Sequence, residues 1–253
     1  MLKKELNTFF TAVMFFSRIP IPKWVDDSSE TLKECAKYFS LIGIIIGAFG
    51  GFIYWGFSFV LPQNISILLS MIGTIWATGA FHEDGFADVC DGFGGGYTKD
   101  KILAIMKDSL VGTYGIVGLI CILLLKYFSL VELSSQFIII CISGHSISRF
   151  IASFILYLYP YARTEGESKG RPVASSFKLN HLIINGLIAC IPLFFFSTYW
   201  IFLTLIPPFI AMLLLGRFFN KWIGGQTGDC AGATQQITEV IFYLSCIILW
   251  KFI

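Results

Sequence analysis

Long apolar runs separated by short polar segments dominate this chain. Because a helix needs about 20 apolar residues to cross a bilayer, the runs predicted to span a membrane are 39–60, 65–80, 110–130, 137–159, 181–196, 199–215 and 237–253. An earlier run, 6–17, is too short to span and ends at Ile19-Pro20-Ile21-Pro22. The pattern predicts an all-α, polytopic integral membrane protein with about seven transmembrane helices and an N-terminal interfacial or re-entrant helix. Gly43 and Gly47 begin a stripe of small residues in the first span, which predicts close approach of another helix.

The composition supports one membrane-embedded unit. Hydrophobic residues make up 56% of the 253-residue chain and charged residues 13%, a balance typical of helical membrane proteins. We expect residues 1–253 to form a single domain. The net charge of +2 is small and no basic stripe is interleaved with aromatics, so nucleic acid is not an expected partner. The seven cysteines include no C-x-x-C pair, so neither a disulfide framework nor a zinc site is predicted.

The basic residues predict an orientation in the membrane. Fifteen of the eighteen Lys and Arg residues fall in the N-terminal segment and in segments 81–109, 160–180 and 216–236. With seven spans these four segments lie on one side, which the positive-inside rule assigns to the cytoplasm. The polar chemistry is therefore expected on one face, which suits an enzyme better than a channel.

The strongest chemical signal is the acidic stretch 81–96, which directly follows an apolar run. On a helix, Asp84, Asp88 and Asp91 fall at i, i+4 and i+7 and project from one face. Like charges on one face repel each other unless a cation lies between them, and hard oxygen ligands suit Mg²⁺ or Mn²⁺. Glu83 adds a fourth carboxylate. We predict a metal site formed by these four residues.

Glycines follow the carboxylates. Gly92 and Gly94 to Gly96 are predicted to end the helix and to leave backbone N–H groups free to approach an anion. The alternative is a solvated acidic loop at the membrane surface. Helical carboxylate spacing followed by a glycine run favours a metal–phosphate site over that alternative.

A charged turn precedes the third span, and one arginine lies inside the fourth. Lys107 suits a phosphate and Asp108 suits a metal ion or a hydrogen bond, although the same residues could serve as an interface anchor and a helix cap. Arg149 is expected to face the bundle interior. There it would contact a substrate phosphate or pair with an acidic residue such as Asp88 or Glu239.

Two more polar segments on the predicted cytoplasmic face carry phosphate-binding candidates. Arg163 and Arg171 share one loop and suit bidentate phosphate contacts, although an ordinary solvated loop that obeys the positive-inside rule would also carry them. The glycine-rich stretch 224–233, which includes Thr227 and Asp229, resembles an anion-binding turn that enters a helix. Its alternative is a tight turn with a helix cap and a small-residue interface. Two acidic, glycine-rich segments on one face favour one shared site.

These motifs together resemble the adenosylcobinamide-GDP ribazoletransferase family, also called cobalamin synthase. The matching blocks, in family order, are Arg18-Ile19-Pro20-Ile21-Pro22, the stretch 82–95, Lys107-Asp108-Ser109 with Gly112-Thr113-Tyr114-Gly115, Tyr161-Ala162-Arg163, and Thr227-Gly228-Asp229 with Gly232-Ala233 and Glu239. They extend along essentially the whole chain. Gln236 departs from the pattern, since glutamate is expected there in many members.

The resemblance implies a magnesium-dependent transfer late in cobalamin (vitamin B12) biosynthesis. A GDP-activated adenosylcobinamide would condense with α-ribazole or its 5′-phosphate, GMP would leave, and adenosylcobalamin or its 5′-phosphate would form. Asp84, Asp88 and Asp91 would hold Mg²⁺ against the diphosphate, and Asp88 or Asp108 would accept the proton of the ribose hydroxyl.

The resemblance and the residue types together give the remaining expectations. The residues expected to contact substrate or phosphate are His82, Gly94, Gly95, Lys107, Arg149, Arg163, Arg171, Thr227 and Asp229. The expected partners are corrinoid and nucleoside small molecules, the lipid bilayer, and either further copies of the chain or other enzymes of cobalamin assembly. The expected location is the bacterial or archaeal cytoplasmic (inner) membrane, with the active face towards the cytoplasm.

Two other functions fit parts of the pattern. A CDP-alcohol phosphotransferase also carries an aspartate ladder on membrane helices, but its pattern has an arginine where Asp88 follows Ala87 here, and its later glycine and aspartate spacing is not met. An ion transporter would use glycine-broken helices around an acidic site. It should carry charges through its spans and polar groups on both sides, whereas Lys126 and Arg149 are the charges well inside the predicted spans.

Overall fold

The computed structural model is built from α-helices. It describes residues 2–26, 28–163, 173 and 176–252. The α-helices in those residues are α1 Leu2–Phe16, α2 Ser29–Cys35, α3 Phe39–Phe57, α4 Gln63–Thr78, α5 Phe81–Gly95, α6 Lys99–Ile105, α7 Thr113–Glu132, α8 Phe137–Leu158, α9 Leu179–Cys190, α10 Ile206–Ile223 and α11 Gly228–Trp250. Short 3₁₀ segments are Ala36–Tyr38, Ser134–Gln136, Ile191–Phe195 and Tyr199–Leu205. Tyr161 and Gln226 form an isolated parallel bridge.

The all-α membrane class predicted from the sequence is confirmed, with fewer spans than the predicted seven. The described stretches long and apolar enough to cross a membrane are Ser29–Phe57, Thr113–Glu132, Ser134–Leu158, Tyr199–Ile223 and Gly228–Trp250, and the bent pair α4–α5 raises the count to six. The run predicted at 181–196 forms the shorter apolar stretch Leu179–Phe195. As predicted, α1 is a short helix that ends before Arg18.

The last span begins earlier than its apolar pattern indicates. Helix α11 starts at Gly228, where the Thr227 side chain caps it by accepting a hydrogen bond from the backbone N–H of Cys230. The polar segment predicted at 216–236 is therefore mostly helical. Gln235 and Gln236, at the end of this segment, are buried against other helices, whereas hydropathy alone places such polar residues outside the membrane.

Helices α3 and α8 approach closely through the predicted glycine stripe. A Cβ atom at Gly43 would collide with the backbone of His145 and Ser146, and one at Gly47 would lie about 2.5 Å from the Cα of Ile142. Only hydrogen atoms fit at these two positions, so the backbones can meet. This contact fixes the face of α8 that carries His145.

The chain turns sharply between α4 and α5. Gly79 and Ala80 both adopt left-handed backbone conformations, with φ of 68° and 57°, and the two helix axes differ by 86°. The backbone N–H of Arg18 donates to the carbonyl of Ala77 at 2.7 Å, which ties the segment after α1 to this turn. The turn directs α5 across α11. The two helices meet at Gly85, where an added Cβ would lie 3.0 Å from the Cα of Asp229.

Candidate active site

The predicted aspartate face lies on one regular helix, α5. Asp84 is exposed, while Asp88 and Asp91 are half-buried. The helix does not end at the first glycines, however: it continues through Gly92 and Gly94 to Gly95. The prediction that the glycine run ends the helix is confirmed at Gly95 and Gly96, and it is wrong for Gly92 and Gly94.

The physical reason is that these glycines make room for neighbours. A Cβ at Gly92 would meet the Met106 side chain, and one at Gly94 would meet the ring of Tyr114. Backbone N–H groups in the last turn of a helix are bonded within that helix. The predicted anion cradle of free N–H groups at Gly94 and Gly95 is therefore not formed.

Asp91 joins α5 to the start of α7. Its Oδ2 accepts a hydrogen bond from the N–H of Gly112 at 2.6 Å, and its Oδ1 accepts one from the N–H of Gly115 at 2.9 Å. A carboxylate at a helix N-terminus satisfies unpaired N–H groups and interacts favourably with the helix dipole. A Cβ at either glycine would clash with this carboxylate. Both oxygens of Asp91 thus have structural partners in addition to the predicted metal role.

Glu83 does not share the aspartate face. Its side chain is buried, and its Oε1 accepts a hydrogen bond from Nε2 of Gln236 at 3.0 Å. Adjacent residues on a helix point about 100° apart, so Glu83 faces the bundle interior while Asp84 is exposed. Glu83 is therefore separated from the predicted metal ligands, and Gln236 contacts it through an amide.

Asp229 and Arg163 form an ion pair beside the aspartate face. Arg163 Nη2 donates to Asp229 Oδ2 at 2.9 Å and to the carbonyl of Met106 at 3.4 Å. The Thr227 hydroxyl donates to the same aspartate oxygen at 3.2 Å. The loop that carries Arg163 is held in place by backbone hydrogen bonds of 2.8 Å from the N–H of Ala162 to the carbonyl of Gln226 and from the N–H of Gln226 to the carbonyl of Pro160.

Four charged side chains are close enough to interact electrostatically with Asp88: Asp229, Asp84, Arg163 and Asp91. The α5–α11 crossing thus brings the two acidic segments together, as the sequence predicted. Among the described residues, no three His, Cys, Asp or Glu side chains lie close enough to hold one metal ion. Mg²⁺ typically binds one or two carboxylates and completes its shell with water and substrate phosphates, so this donor set fits an ion that arrives with a phosphate substrate.

Lys107 and Asp108 are exposed in the turn before α7. Asp108 Oδ1 accepts a hydrogen bond from the N–H of Leu110 at 3.1 Å, which is a local turn contact. Lys107 forms no ion pair within the described part of the chain and is free to meet an anion. Arg171 lies outside the described residues.

The second glycine-rich segment is a structural turn. Gly224 ends α10 with a φ of 73°, and Gly225 has a φ of 156°. A Cβ at Gly225 would collide with the carbonyl of Pro160, so this glycine permits the close pairing of the two loops. The segment positions Thr227 and Asp229 at the start of α11, in agreement with the turn-and-cap alternative.

Behind the site lies a buried polar network that the sequence revealed only in part. Lys126 Nζ and Glu239 Oε1 are 2.7 Å apart, with side-chain exposures of 3% and 0%. Tyr243 also donates to Oε1 at 2.8 Å, and Gln235 donates to Oε2 at 2.7 Å. The sequence signal for this network was Lys126 itself, because a charged residue inside an apolar run requires a partner.

Arg149 belongs to this interior rather than to the exposed aspartate face. Only 1% of the residue is exposed. Its Nη1 donates to the carbonyl of His145 at 2.8 Å, and its guanidinium carbon lies 5.8 Å from the ring centre of Phe39. No ion pair joins it to Asp88 or Glu239 in the described part of the chain. The predicted pairing is not formed, because Lys126 already takes the Glu239 position.

The chain is similar to known proteins along nearly its whole length. The chain matches the family model described as cobalamin-5-phosphate synthase over residues 8–247. It is 43% identical over 248 residues to the adenosylcobinamide-GDP ribazoletransferase of Shewanella frigidimarina, covering 95% of this chain and 94% of the relative. The protein of the same name from Leptospira interrogans is 41% identical over 262 residues, covering 99% and 98% of the two chains. The one from Shewanella amazonensis is 38% identical over 256 residues, covering 98% of each. No solved structure matches the chain.

Proposed function

The chain belongs to the cobalamin-5-phosphate synthase family, and from that premise we propose that it is a magnesium-dependent adenosylcobinamide-GDP ribazoletransferase. The proposed reaction joins GDP-activated adenosylcobinamide to α-ribazole or its 5′-phosphate and releases GMP. The ribose hydroxyl of the acceptor attacks the phosphorus that bears the cobinamide group. The bond from that phosphorus to the bridging oxygen breaks, and GMP leaves with this oxygen.

The observation that carries the proposal is the convergence at the crossing of α5 and α11. Asp84 and Asp88 lie on one helix face, and the paired Asp229 and Arg163 come from two distant parts of the chain. Phosphoryl transfer needs positioning and charge neutralisation more than covalent chemistry. A site with several carboxylates and one arginine suits a metal-bound diphosphate better than an uncharged ligand.

Asp84 and Asp88 are the residues that would hold Mg²⁺, with substrate phosphate oxygens completing its shell. When bound, the ion would neutralise charge on the diphosphate and favour departure of GMP. Arg163 is held by Asp229 in a fixed orientation, and 19% of its side chain is exposed, so it can meet a phosphate oxygen while it keeps this ion pair. Lys107 is exposed and follows Met106, whose carbonyl accepts a hydrogen bond from Arg163. We infer that Lys107 neutralises a further phosphate charge. The assignment of the proton acceptor to Asp88 or Asp108 stays a prediction.

The location we propose is the cytoplasmic (inner) membrane, with the site on the cytoplasmic face. The loop at Arg163 contacts both the turn before α7 and the start of α11. Segments 81–109, 160–180 and 216–236, to which these parts belong, carry nine of the eighteen Lys and Arg residues, and the N-terminal segment carries six more. The positive-inside rule assigns such a face to the cytoplasm. Association with further copies or with other enzymes of cobalamin assembly remains a prediction.

The proposal is tested with purified protein in detergent, adenosylcobinamide-GDP, α-ribazole and Mg²⁺, by following GMP and the corrinoid product by mass. The Asp84→Asn variant removes one charge and nearly keeps the shape. Asp100→Asn is the matched control, because Asp100 is an exposed aspartate in the first turn of α6. We expect product from the wild type and the control, and at least a hundredfold less from Asp84→Asn, as for loss of an electrostatic group at a reacting phosphate.

Chelation with EDTA should abolish product formation, and added Mg²⁺ should restore it. A folded wild-type protein that gives no product with either acceptor would overturn the proposed reaction. Product that forms equally well in EDTA would overturn the metal requirement alone.

A further inference from the structure

An exposed apolar stripe runs along helix α4. It consists of Ile65, Leu68, Ile72 and Trp76, which recur at helical spacing, and the least exposed of them, Ile65, has 39% of its surface exposed. Helix α4 belongs to the bent pair α4–α5, which is long and apolar enough to cross a membrane. An apolar helix face that is exposed at membrane depth contacts lipid acyl chains. The stripe is therefore a lipid-facing surface that extends over about three helical turns.

The stripe ends in a groove at the turn between α4 and α5, and an arginine lines this groove. The groove has a volume of about 360 Å³, and its walls are Arg18, Ile72, Ile75, Trp76, Gly79 and Ala80. The Arg18 side chain crosses the turn directly over Gly79, because a Cβ added at Gly79 would collide with Nε of Arg18 and would lie 3.2 Å from its Cδ. The glycine thus provides the space that places the arginine in the groove.

Arg18 carries a positive charge without a counter-charge. Its backbone N–H is bonded to Ala77, but its exposed side chain forms no hydrogen bond or ion pair with any residue that the structure describes. The dipole of α4 favours a cation at this helix end, yet it leaves the guanidinium donors unused, and these suit two oxygens of one phosphate. His82, a predicted phosphate contact near this turn, is only 2% exposed, so Arg18 rather than His82 is accessible to an anion here.

The groove combines a cation with an apolar track in the order that a phospholipid requires. Trp76 lies beside Arg18 in the groove wall, and tryptophan is enriched at the level of lipid headgroups. From there the α4 stripe leads towards the membrane centre. The six lining residues include no carboxylate, so the groove offers nothing to the ammonium group of a zwitterionic lipid, whereas a basic residue attracts an anionic one.

We propose that this groove binds an anionic phospholipid, with Arg18 on its phosphate and one acyl chain along the α4 stripe. The proposal uses the membrane class of the fold and does not depend on the reaction proposed above. It also assigns a role to the first residue of the block Arg18-Ile19-Pro20-Ile21-Pro22, which the candidate active site does not use. The bound lipid stabilises the contact between the segment after α1 and the turn that directs α5 across α11.

The test measures lipid binding to the purified protein in neutral detergent by native mass spectrometry. The probes are phosphatidylglycerol, the zwitterionic phosphatidylcholine, and inorganic phosphate, which is an anion without acyl chains. We expect one phosphatidylglycerol per chain to bind at least about tenfold more tightly than phosphatidylcholine, because its charge is not balanced by a choline group. Inorganic phosphate at the same concentration should not displace it.

Two arginine variants separate this groove from general attraction to a basic surface. Arg18→Gln removes the charge and keeps a long polar side chain. Arg217→Gln is the matched control, because Arg217 is an exposed arginine of α10 on the same predicted membrane face and outside the groove. We expect Arg18→Gln to raise the Kd of phosphatidylglycerol about tenfold or more, the loss of a charge-assisted phosphate contact. Arg217→Gln should change the Kd less than about twofold, because it leaves that contact intact.

A second pair of variants covers the case in which Arg18→Gln does not fold. Ile72→Trp fills the groove from α4 without changing a charge. Ile120→Trp makes the same substitution on the outer face of α7, at a residue with the same 54% exposure. We expect Ile72→Trp to weaken phosphatidylglycerol binding about fivefold or more through lost acyl-chain contact, and Ile120→Trp to leave it unchanged. The lipid should raise the unfolding temperature of wild type and Ile120→Trp more than that of Ile72→Trp.

The outcomes decide between this proposal and its alternatives. Equal binding of the two lipids, or equal weakening in Arg18→Gln and Arg217→Gln, would overturn the groove as a specific site. A dimer that dissociates in Ile72→Trp would assign the groove to a second copy of the chain and overturn the proposal. A raised KM for adenosylcobinamide-GDP in Arg18→Gln, with unchanged lipid binding, would assign Arg18 to the substrate and also overturn it. Wild-type protein that forms no product but binds phosphatidylglycerol through Arg18 would overturn the proposed function alone.

Discussion

Replacing Asp91 by asparagine distinguishes a helix anchor from a metal ligand. In the structure both carboxylate oxygens of Asp91 accept backbone hydrogen bonds at the start of α7, from Gly112 at 2.6 Å and from Gly115 at 2.9 Å. Asparagine keeps one acceptor oxygen and turns an NH₂ group towards the other N–H. The variant therefore loses one hydrogen bond to a charged acceptor and the favourable interaction of that charge with the helix dipole.

The expected loss of stability follows from these two contributions. A hydrogen bond to a charged group is worth about 1.5–3 kcal/mol, and a charge at a helix N-terminus about 0.3–1 kcal/mol. Because Asp91 is half-buried, solvent screening places the total near the lower end, at about 2 kcal/mol. For a chain of this length that corresponds to a fall of about 4–8 °C in the unfolding temperature.

The assay is thermal unfolding of the purified protein in detergent, with and without Mg²⁺. Asp91→Asn should lower the unfolding temperature in both conditions and keep the Mg²⁺-induced rise that ligand binding gives the wild type. Asp84→Asn should be as stable as wild type without Mg²⁺ and should lose the rise. Asp100→Asn is the surface control, because Asp100 is an exposed residue of α6, and it should change stability by no more than about 0.5 kcal/mol.

The reasoning would be refuted by the opposite pattern. If Asp91→Asn were as stable as wild type without Mg²⁺ but no longer responded to the ion, Asp91 would be a metal ligand whose contacts to α7 contribute little. Loss of both properties would show that it serves in both roles.

Further predictions follow from other contacts. Lys126→Met leaves Glu239 buried without its cation and should lower the free energy of unfolding in detergent by about 3–5 kcal/mol. The double variant with Glu239→Gln should recover most of that loss. Equal stability of the single and double variants would contradict the pairing. Arg163→Lys keeps the charge but not the planar donor geometry, so we expect kcat to fall about tenfold or more with little change in unfolding temperature, and unchanged kinetics would exclude a phosphate contact. The hydrogen bond from Lys37 to Glu5, 2.7 Å long, lowers the pKa of Glu5 below its usual 4.5. Its stabilisation is therefore present above pH 4.5 and lost as the pH falls below it, so unfolding curves of wild type and Glu5→Gln should converge in acid and differ near neutrality.

The membrane class, the helical aspartate face and the family were all readable from the chain alone. Apolar runs predict spanning helices because a bilayer leaves few other structures for them. Asp84, Asp88 and Asp91 share a face because their spacing matches the helix repeat. The family motifs lie along nearly the whole chain, and the family itself is confirmed by a family model that matches residues 8–247. Where polar residues are buried inside a helix, as in the first turns of α11, the boundary prediction failed, because hydropathy does not distinguish a buried polar side chain from a solvated one.

What each polar residue contacts was decided by the tertiary structure. Glu83 and Asp84 are neighbours in sequence, yet one bonds to Gln236 in the interior and the other is exposed. Local spacing determines which side chains share a helix face, but only the packing of α5 against α7 and α11 determines what that face meets. For the same reason the glycines predicted to cradle an anion proved to be contact points for Met106 and Tyr114. Such partners come from distant parts of the chain, and their identity depends on how the helices cross.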